Sequence, residues 1–190
     1  CYVSITIDYF FNFPKPIDQT AEAINTWIGC NLGPYQDDPG DLYSRFLGME
    51  FTLWEHTLEN DGELDYESYK YAIGIRTPIP EAEFRMLQLP TMAFLVFALH
   101  RKLGITGMLA YDVQVLLGRY EEKEHPENHS QELFDSVSNK FVSFPSHLED
   151  LWKRMPSDES LLNWEKGLGK YLREQGRNVE ELKPRDSKKE

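Results

Sequence analysis

The chain has 190 residues, 41% of them hydrophobic and 13% aromatic, with a formal net charge of −12. This length holds one domain, or one domain with an appendage, and enough apolar side chains for a sizeable core. No apolar stretch approaches the roughly 20 residues a membrane span needs, and the charge has the wrong sign for holding phosphates, which argues against membrane-spanning and nucleic-acid-binding roles.

Residues Tyr2 to Phe13 alternate, with Val3, Ile5, Ile7, Tyr9 and Phe11 on one face and Ser4, Thr6, Asp8 and Asn12 on the other. That period of two, in β-branched and aromatic residues, predicts a strand ended by Pro14 and Pro16. A strand starting so close to Cys1 leaves no tether for a lipid anchor there, and loss of an initiator methionine is the simpler expectation. Asp18 is placed to cap a helix whose inward residues are Ala21, Ile24, Trp27 and Ile28, with Gly33-Pro34 as its end. Cys30 falls in this apolar stretch and reads as core. Two cysteines are too few for a disulfide framework, so a reducing, cytoplasmic setting is expected. A polar loop from Tyr35 to Gly40 and a short helical turn at Asp41 to Leu47 follow.

Met49 to Glu59 and Glu63 to Thr77 read as two strands around Asn60-Asp61-Gly62. A three-residue loop pairs Met49 with Ile73, Phe51 with Tyr71 and Leu53 with Tyr69, keeping apolar faces together, whereas a two-residue loop mixes them. Thr91 to Leu103 predicts a helix capped by Thr91 and ended by Gly104. Gly107 to Leu117 reads as a strand. The resulting β-α-β-β-α-β order predicts an α+β fold with an antiparallel sheet of ferredoxin-like type. Residues 119 to 130 form a charged linker. Leu133 to Phe144 suggests a hairpin turning at Ser138-Asn139, and Ser146 to Met155 and Ser157 to Gln175 suggest additional C-terminal helices. The expected organisation is a single domain over 1–176, with a core at 1–118 and an extension at 131–176, followed by a mobile polar tail at 177–190.

Charge is distributed very unevenly. Ten acids (Asp37, Asp38, Asp41, Glu50, Glu55, Glu59, Asp61, Glu63, Asp65 and Glu67) face one base, Arg45, between residues 37 and 67. In the three-residue register Glu55 opposes Glu67 and Glu59 opposes Glu63, and like charges across a ladder destabilise it. A local rule broken without visible compensation points to function. The predicted partner-binding residues are therefore Trp54, Glu55, Glu59, Asp61, Glu63, Asp65, Tyr66 and Glu67, with the aromatics as anchors. The competing reading is a solvated hairpin kept from sticking by its charge.

Other chemistry finds little support. A calcium loop aligned on Gly62 puts Thr57 and Ser68 where carboxylates are required, so it fails; a looser cation site at Glu59, Asp61, Glu63 and Asp65 is a minor alternative. His125 and His129 are four apart, but Pro126 interrupts any helix between them. Gly167-Leu168-Gly169 lacks the third glycine of a dinucleotide fingerprint, and no phosphate loop, HExxH motif or CxxC pair occurs. No cofactor and no metal is expected. The sequence points to an acidic binding protein that neutralises a basic protein, in concrete form an immunity protein inhibiting a nuclease-type toxin, whose active cleft must be cationic. The rivals are a small cytoplasmic enzyme using Asp112, His100 or His147 in a pocket between the sheet and the C-terminal helices, and an oligomerising structural subunit. Oligomeric state is not legible.

Overall fold

The computed structural model describes residues 6–34, 40–46, 49–76, 82–120, 127–128, 132–135, 140–143 and 173. Its elements in chain order are β1 (Thr6–Phe11), α1 (Ile17–Ile28), β2 (Gly33–Pro34), β3 (Leu42–Phe46), β4 (Met49–Glu55), β5 (Tyr71–Arg76), α2 (Ala82–Leu103), β6 (Gly107–Tyr111), β7 (Val115–Tyr120), β8 (Glu127–Asn128), β9 (Glu132–Asp135) and β10 (Lys140–Ser143). The fold is α+β. One antiparallel sheet runs in the order β2-β3-β4-β5-β1-β6-β7-β8, and β9 and β10 form a separate pair.

The sheet separates two cores. The larger holds Ile7, Tyr9 and Phe11 of β1, Phe51 and Leu53 of β4, Ile73 and Ile75 of β5 and Leu109 of β6, covered by Ala21, Ile24 and Ile28 of α1 and by Met92, Leu95 and Leu99 of α2. Both helices therefore lie on one face. The smaller core, on the opposite face, gathers Phe10, Leu64, Tyr66, Ala72, Met108, Ala110 and Leu116. β1 pairs with β5 on one side and β6 on the other. It is buried from Ile7 to Phe11 without alternation because both its faces are covered.

Several local expectations are corrected. Pro16, not Asp18, is the residue before α1, and Asp18 sits in the first turn. A proline with fixed φ initiates this helix without a side-chain cap. Thr20 anchors the first turn, its hydroxyl donating to Pro16 O at 2.9 Å. Gly29, at φ 83°, ends the helix four residues before Gly33, its N–H reaching Ile24 O and Asn25 O. Trp27 is half exposed, on the helix's outer side. Residues 42–46 are a strand rather than a helical turn, with Leu42 opposite Leu53 and Arg45 opposite Glu50. α2 begins nine residues before Thr91, which is buried within it, although Gly104 ends it as expected.

The run from Gly107 to Leu117 contains two strands, not one. β6 and β7 are joined at Asp112 and Val113, both with positive φ (49° and 55°), and Gln114 N–H donates to Tyr111 O at 3.0 Å. Tyr111 pairs with Val115, so the loop has three residues, Asp112-Val113-Gln114. β8 adds two residues inside the expected charged linker, with Arg119 opposite Glu127. β9 and β10 pair Leu133 with Val142 and Phe134 with Phe141, as a hairpin over Leu133 to Phe144 requires. The Ser138-Asn139 turn, the proposed helices at 146–155 and 157–175 and the tail at 177–190 lie outside the described residues.

Candidate functional site

The acidic segment is a strap, not a hairpin tip. β4 and β5 pair with Glu50 opposite Arg76, Leu53 opposite Ile73 and Glu55 opposite Tyr71. The face assignments of the three-residue register survive, because the pairing is displaced by an even number of residues. The loop does not survive: residues 56–70 form the connection. Glu55 therefore never meets Glu67, nor Glu59 Glu63, across a ladder, and the expected like-charge pairing is overturned. The energy reason is apolar. Leu64 and Tyr66, 3% and 2% exposed, fold back onto the second face of the sheet, and this burial outweighs the further ladder pairs of the longer hairpin.

Side chains hold the strap in place. Asn12 clamps one end, its amide donating to Ser68 O at 2.7 Å and accepting from Lys70 N–H at 2.9 Å. Glu67 N–H donates to Asn60 Oδ1 at 2.9 Å, and Arg119 of β7 donates to Glu63 O. Asp61 and Leu64 exchange backbone bonds around Gly62, whose φ is 59°. A glycine at the first central position suits a type II′ turn, so the tight turn is Gly62-Glu63.

The predicted partner-binding residues now divide. Glu59, Asp61, Glu63, Asp65 and Glu67 are exposed on the strap. Two of these carboxylates make local hydrogen bonds: Ser68 Oγ donates to Asp65 Oδ2 at 2.6 Å, and Asn60 N–H donates to Glu67 Oε1 at 3.4 Å. Among the described residues, no lysine or arginine pairs with these five. Glu55 lies beside them but is 3.4 Å from Lys70 Nζ. Glu50, from the same acidic window, is buried and takes a hydrogen bond from Arg76 Nε at 2.6 Å. Tyr66 is committed to the protein's own second core, its ring 4.8 Å from that of Phe10, and Trp54 packs against that core. The apolar group the strap does expose is Leu58, 37% accessible.

Beneath the strap lies a group the sequence reading passed over. Asp8 is 2% exposed at the middle of β1, between Gly74 and Ala110. Its carboxylate accepts from Thr6 Oγ1 at 2.6 Å. Burial pushes its pKa up from 3.8 to about 6, tempered by the Thr6 bond and reinforced by the negative charge of Asp112. Nearby, the Tyr66 hydroxyl is buried with no hydrogen-bond partner. Burial, then the charges of Asp8 and Asp61, push that phenol up to about 12. His56 packs edge-on against Phe10 with centroids 5.0 Å apart, and burial lowers its pKa. Its Nδ1 accepts from Leu58 N–H at 3.3 Å, which puts the proton on Nε2, a buried atom without a partner. The sequence did carry one signal for this cluster: Phe10 lies between Asp8 and Asn12, on the face of β1 that the alternation marked as polar.

No protein-family model, curated protein or solved structure matches the chain. Among the described residues, no three of His, Cys, Asp and Glu converge closely enough to hold a metal ion, which removes the looser cation site on the strap. No described helix is long and apolar enough to cross a membrane. Of the acid–base candidates of the enzyme reading, Asp112 is in the β6–β7 turn and His100 is on α2, which packs on the other face; His147 lies outside the described residues. Cys30 is buried, its thiol pushed well above the ordinary range, as expected of a core residue.

Proposed function

We propose that this chain is an acidic binding protein that docks its 56–70 strap onto a basic macromolecule, and in concrete form that it is an immunity protein occluding the cleft of a nuclease-type toxin. One observation carries the reading: Glu59, Asp61, Glu63, Asp65 and Glu67 are presented together on one segment, exposed and unpaired with any described cation. Five like charges over nine residues repel one another, and no described cation offsets that repulsion. A cationic cleft would be. It would also be approached faster, since complementary fields steer the encounter. The clamps from Asn12 and Arg119 hold the strap in a fixed shape, which lowers the ordering cost of docking. Leu58 supplies apolar contact amid the acids.

The surrounding architecture is inferred to be a ferredoxin-like split βαβ unit. The strand order β4-β5-β1-β6, with α1 and α2 on one face, supports this, and β3 and β7 widen the sheet. The cytoplasm is the proposed site of action, in keeping with a single buried thiol among the described residues.

The test is affinity capture from the source cell's lysate at low and high salt, using the wild type and the triple variant Glu59→Lys, Asp61→Lys, Glu63→Lys. A basic nuclease should be retained by the wild type at low salt and lost both at high salt and by the variant. Equal retention by both proteins would remove the strap as the docking surface.

A further inference from the structure

We propose that the 56–70 strap is a proton-controlled cover, which seals the second face of the sheet while Asp8 is neutral and lifts from it when Asp8 ionises.

The geometry makes Asp8 a buried acid without a counter-charge among the described residues. The strands beside it supply Gly74 and Ala110, residues of almost no volume. A Cβ at Gly74 would collide with Asp8 Oδ1 and sit 3.0 Å from the Trp54 ring, so the carboxyl occupies the space a side chain on β5 would need. Thr6 on β1 gives it one hydrogen bond. The charged groups facing it are of the wrong sign or already engaged. Asp112, from the β6–β7 turn, is negative. Arg76 of β5, on the same face, binds Glu50 of β4 at 2.6 Å. The strap above contributes Tyr66, Asp61 and His56, the first buried with an orphaned hydroxyl, the second negative, the third an imidazole whose pKa burial lowers. Arg119 of β7 donates to Glu63 O.

Within the described residues, an ionised Asp8 can be relieved only by water. β5 and β6 bond β1 on both edges, and the helices fill the opposite face. Among the described residues the remaining side is made by the Trp54 ring and the strap, and the strap's attachment is uneven. Its ends are secured where His56 N–H meets Lys70 O at 3.4 Å and where Asn12 clamps residues 68 and 70. Its middle is seated by Leu64 and Tyr66 and by the single Arg119 bond to Glu63 O, and Tyr66 carries its unpaired hydroxyl down with it. Lifting the middle hydrates Asp8 and Tyr66 together while leaving both ends in place.

The sign follows from linkage. Covered, Asp8 titrates at about 6; hydrated, it returns toward 3.8. The covered state is therefore favoured at low pH and weakens as pH rises between those values, remaining weaker above. The strap is also the proposed docking surface, so any pH effect on docking rests on that reading; the opening itself does not.

Amide exchange by NMR on the free full-length chain tests the inference, with no partner present. The reporters are the N–H groups of Leu64, Glu67 and Tyr69, which bond Asp61 O, Asn60 Oδ1 and Tyr66 O. After correction for intrinsic rates, their opening equilibrium should rise about ten-fold from about pH 5 to about pH 7.5, while Ile73 in β5 shows no such rise. The Asp8→Asn variant should abolish the dependence, and in the wild type its midpoint should coincide with the Asp8 carboxyl 13C titration. A flat wild-type profile, a dependence kept in Asp8→Asn, a carboxyl midpoint elsewhere, or an equal rise at Ile73 overturns the proposal. None of these outcomes bears on docking, and equal capture by the charge-reversed variant leaves the cover intact.

Discussion

A buried acid without a cation costs stability, and Asp8 lets that cost be measured. Its pKa is raised, so the unfolded chain ionises first as pH climbs from 3.8 towards about 6. Stability attributable to this group is highest below that window, falls through it and stays low above it. The full shift corresponds to about 3 kcal/mol, an upper figure because strap opening lets water in. Asp8→Asn keeps the shape and can still accept the Thr6 hydroxyl, but never ionises. Thermal unfolding at neutral pH should therefore find the variant more stable by about 1–3 kcal/mol, with the gap closing below about pH 4. A variant less stable than wild type at neutral pH would mean that a counter-charge reaches Asp8. Catalytic and docking groups are often kept at such a cost to stability. That is the residue-scale argument for attaching function to this face rather than to the helix-covered one.

At the scale of elements, the second face is built from small residues under the strap. Gly74 shows how tightly. Gly74→Ala places a methyl against Asp8 Oδ1 and the Trp54 ring, and overpacking of this kind costs about 1–3 kcal/mol. Chemical denaturation should show that loss, and Asp8→Ala added to Gly74→Ala should recover only part of it, because the indole remains 3.0 Å from the new carbon. Full additivity of the two losses would show that the clash is not shared. Much of this element pattern was legible in the chain: the strand at β1, both helices, the pairing of β4 with β5 and even its face parity follow from period and turn residues. What was not legible has a common cause. Alternation reports which side of a strand is apolar, not what covers the other side, so Phe10 beside Asp8 read as noise in a polar face. Loop length was inferred from the pairing of apolar faces, and any even displacement satisfies that test equally well. Leu64 and Tyr66 then decided the register through tertiary burial. The acids of the strap were found from composition alone; their exposure, and the loss of Tyr66 as an anchor, depended on that burial.

For the whole molecule, the question is whether charge that serves docking is separate from what holds the fold. The −12 net charge is concentrated near one segment, whose seat is apolar and whose clamps are backbone-directed. Self-repulsion among exposed groups is weak and screened by salt, with surface pairs worth about 1 kcal/mol or less. The melting temperature of the wild type at neutral pH should consequently rise with added sodium chloride as repulsion along the strap is screened. The Glu59→Lys, Asp61→Lys, Glu63→Lys variant should start slightly higher at low salt and respond less, with stability within about 0.5 kcal/mol of wild type per site. Calorimetry over a salt series measures both slopes. Equal slopes would show that the strap's acids are not the source of the repulsion, and a large drop in the variant would show that they brace the fold. In either case the five carboxylates would lose the property that sets them apart, which is that no described cation pairs with them.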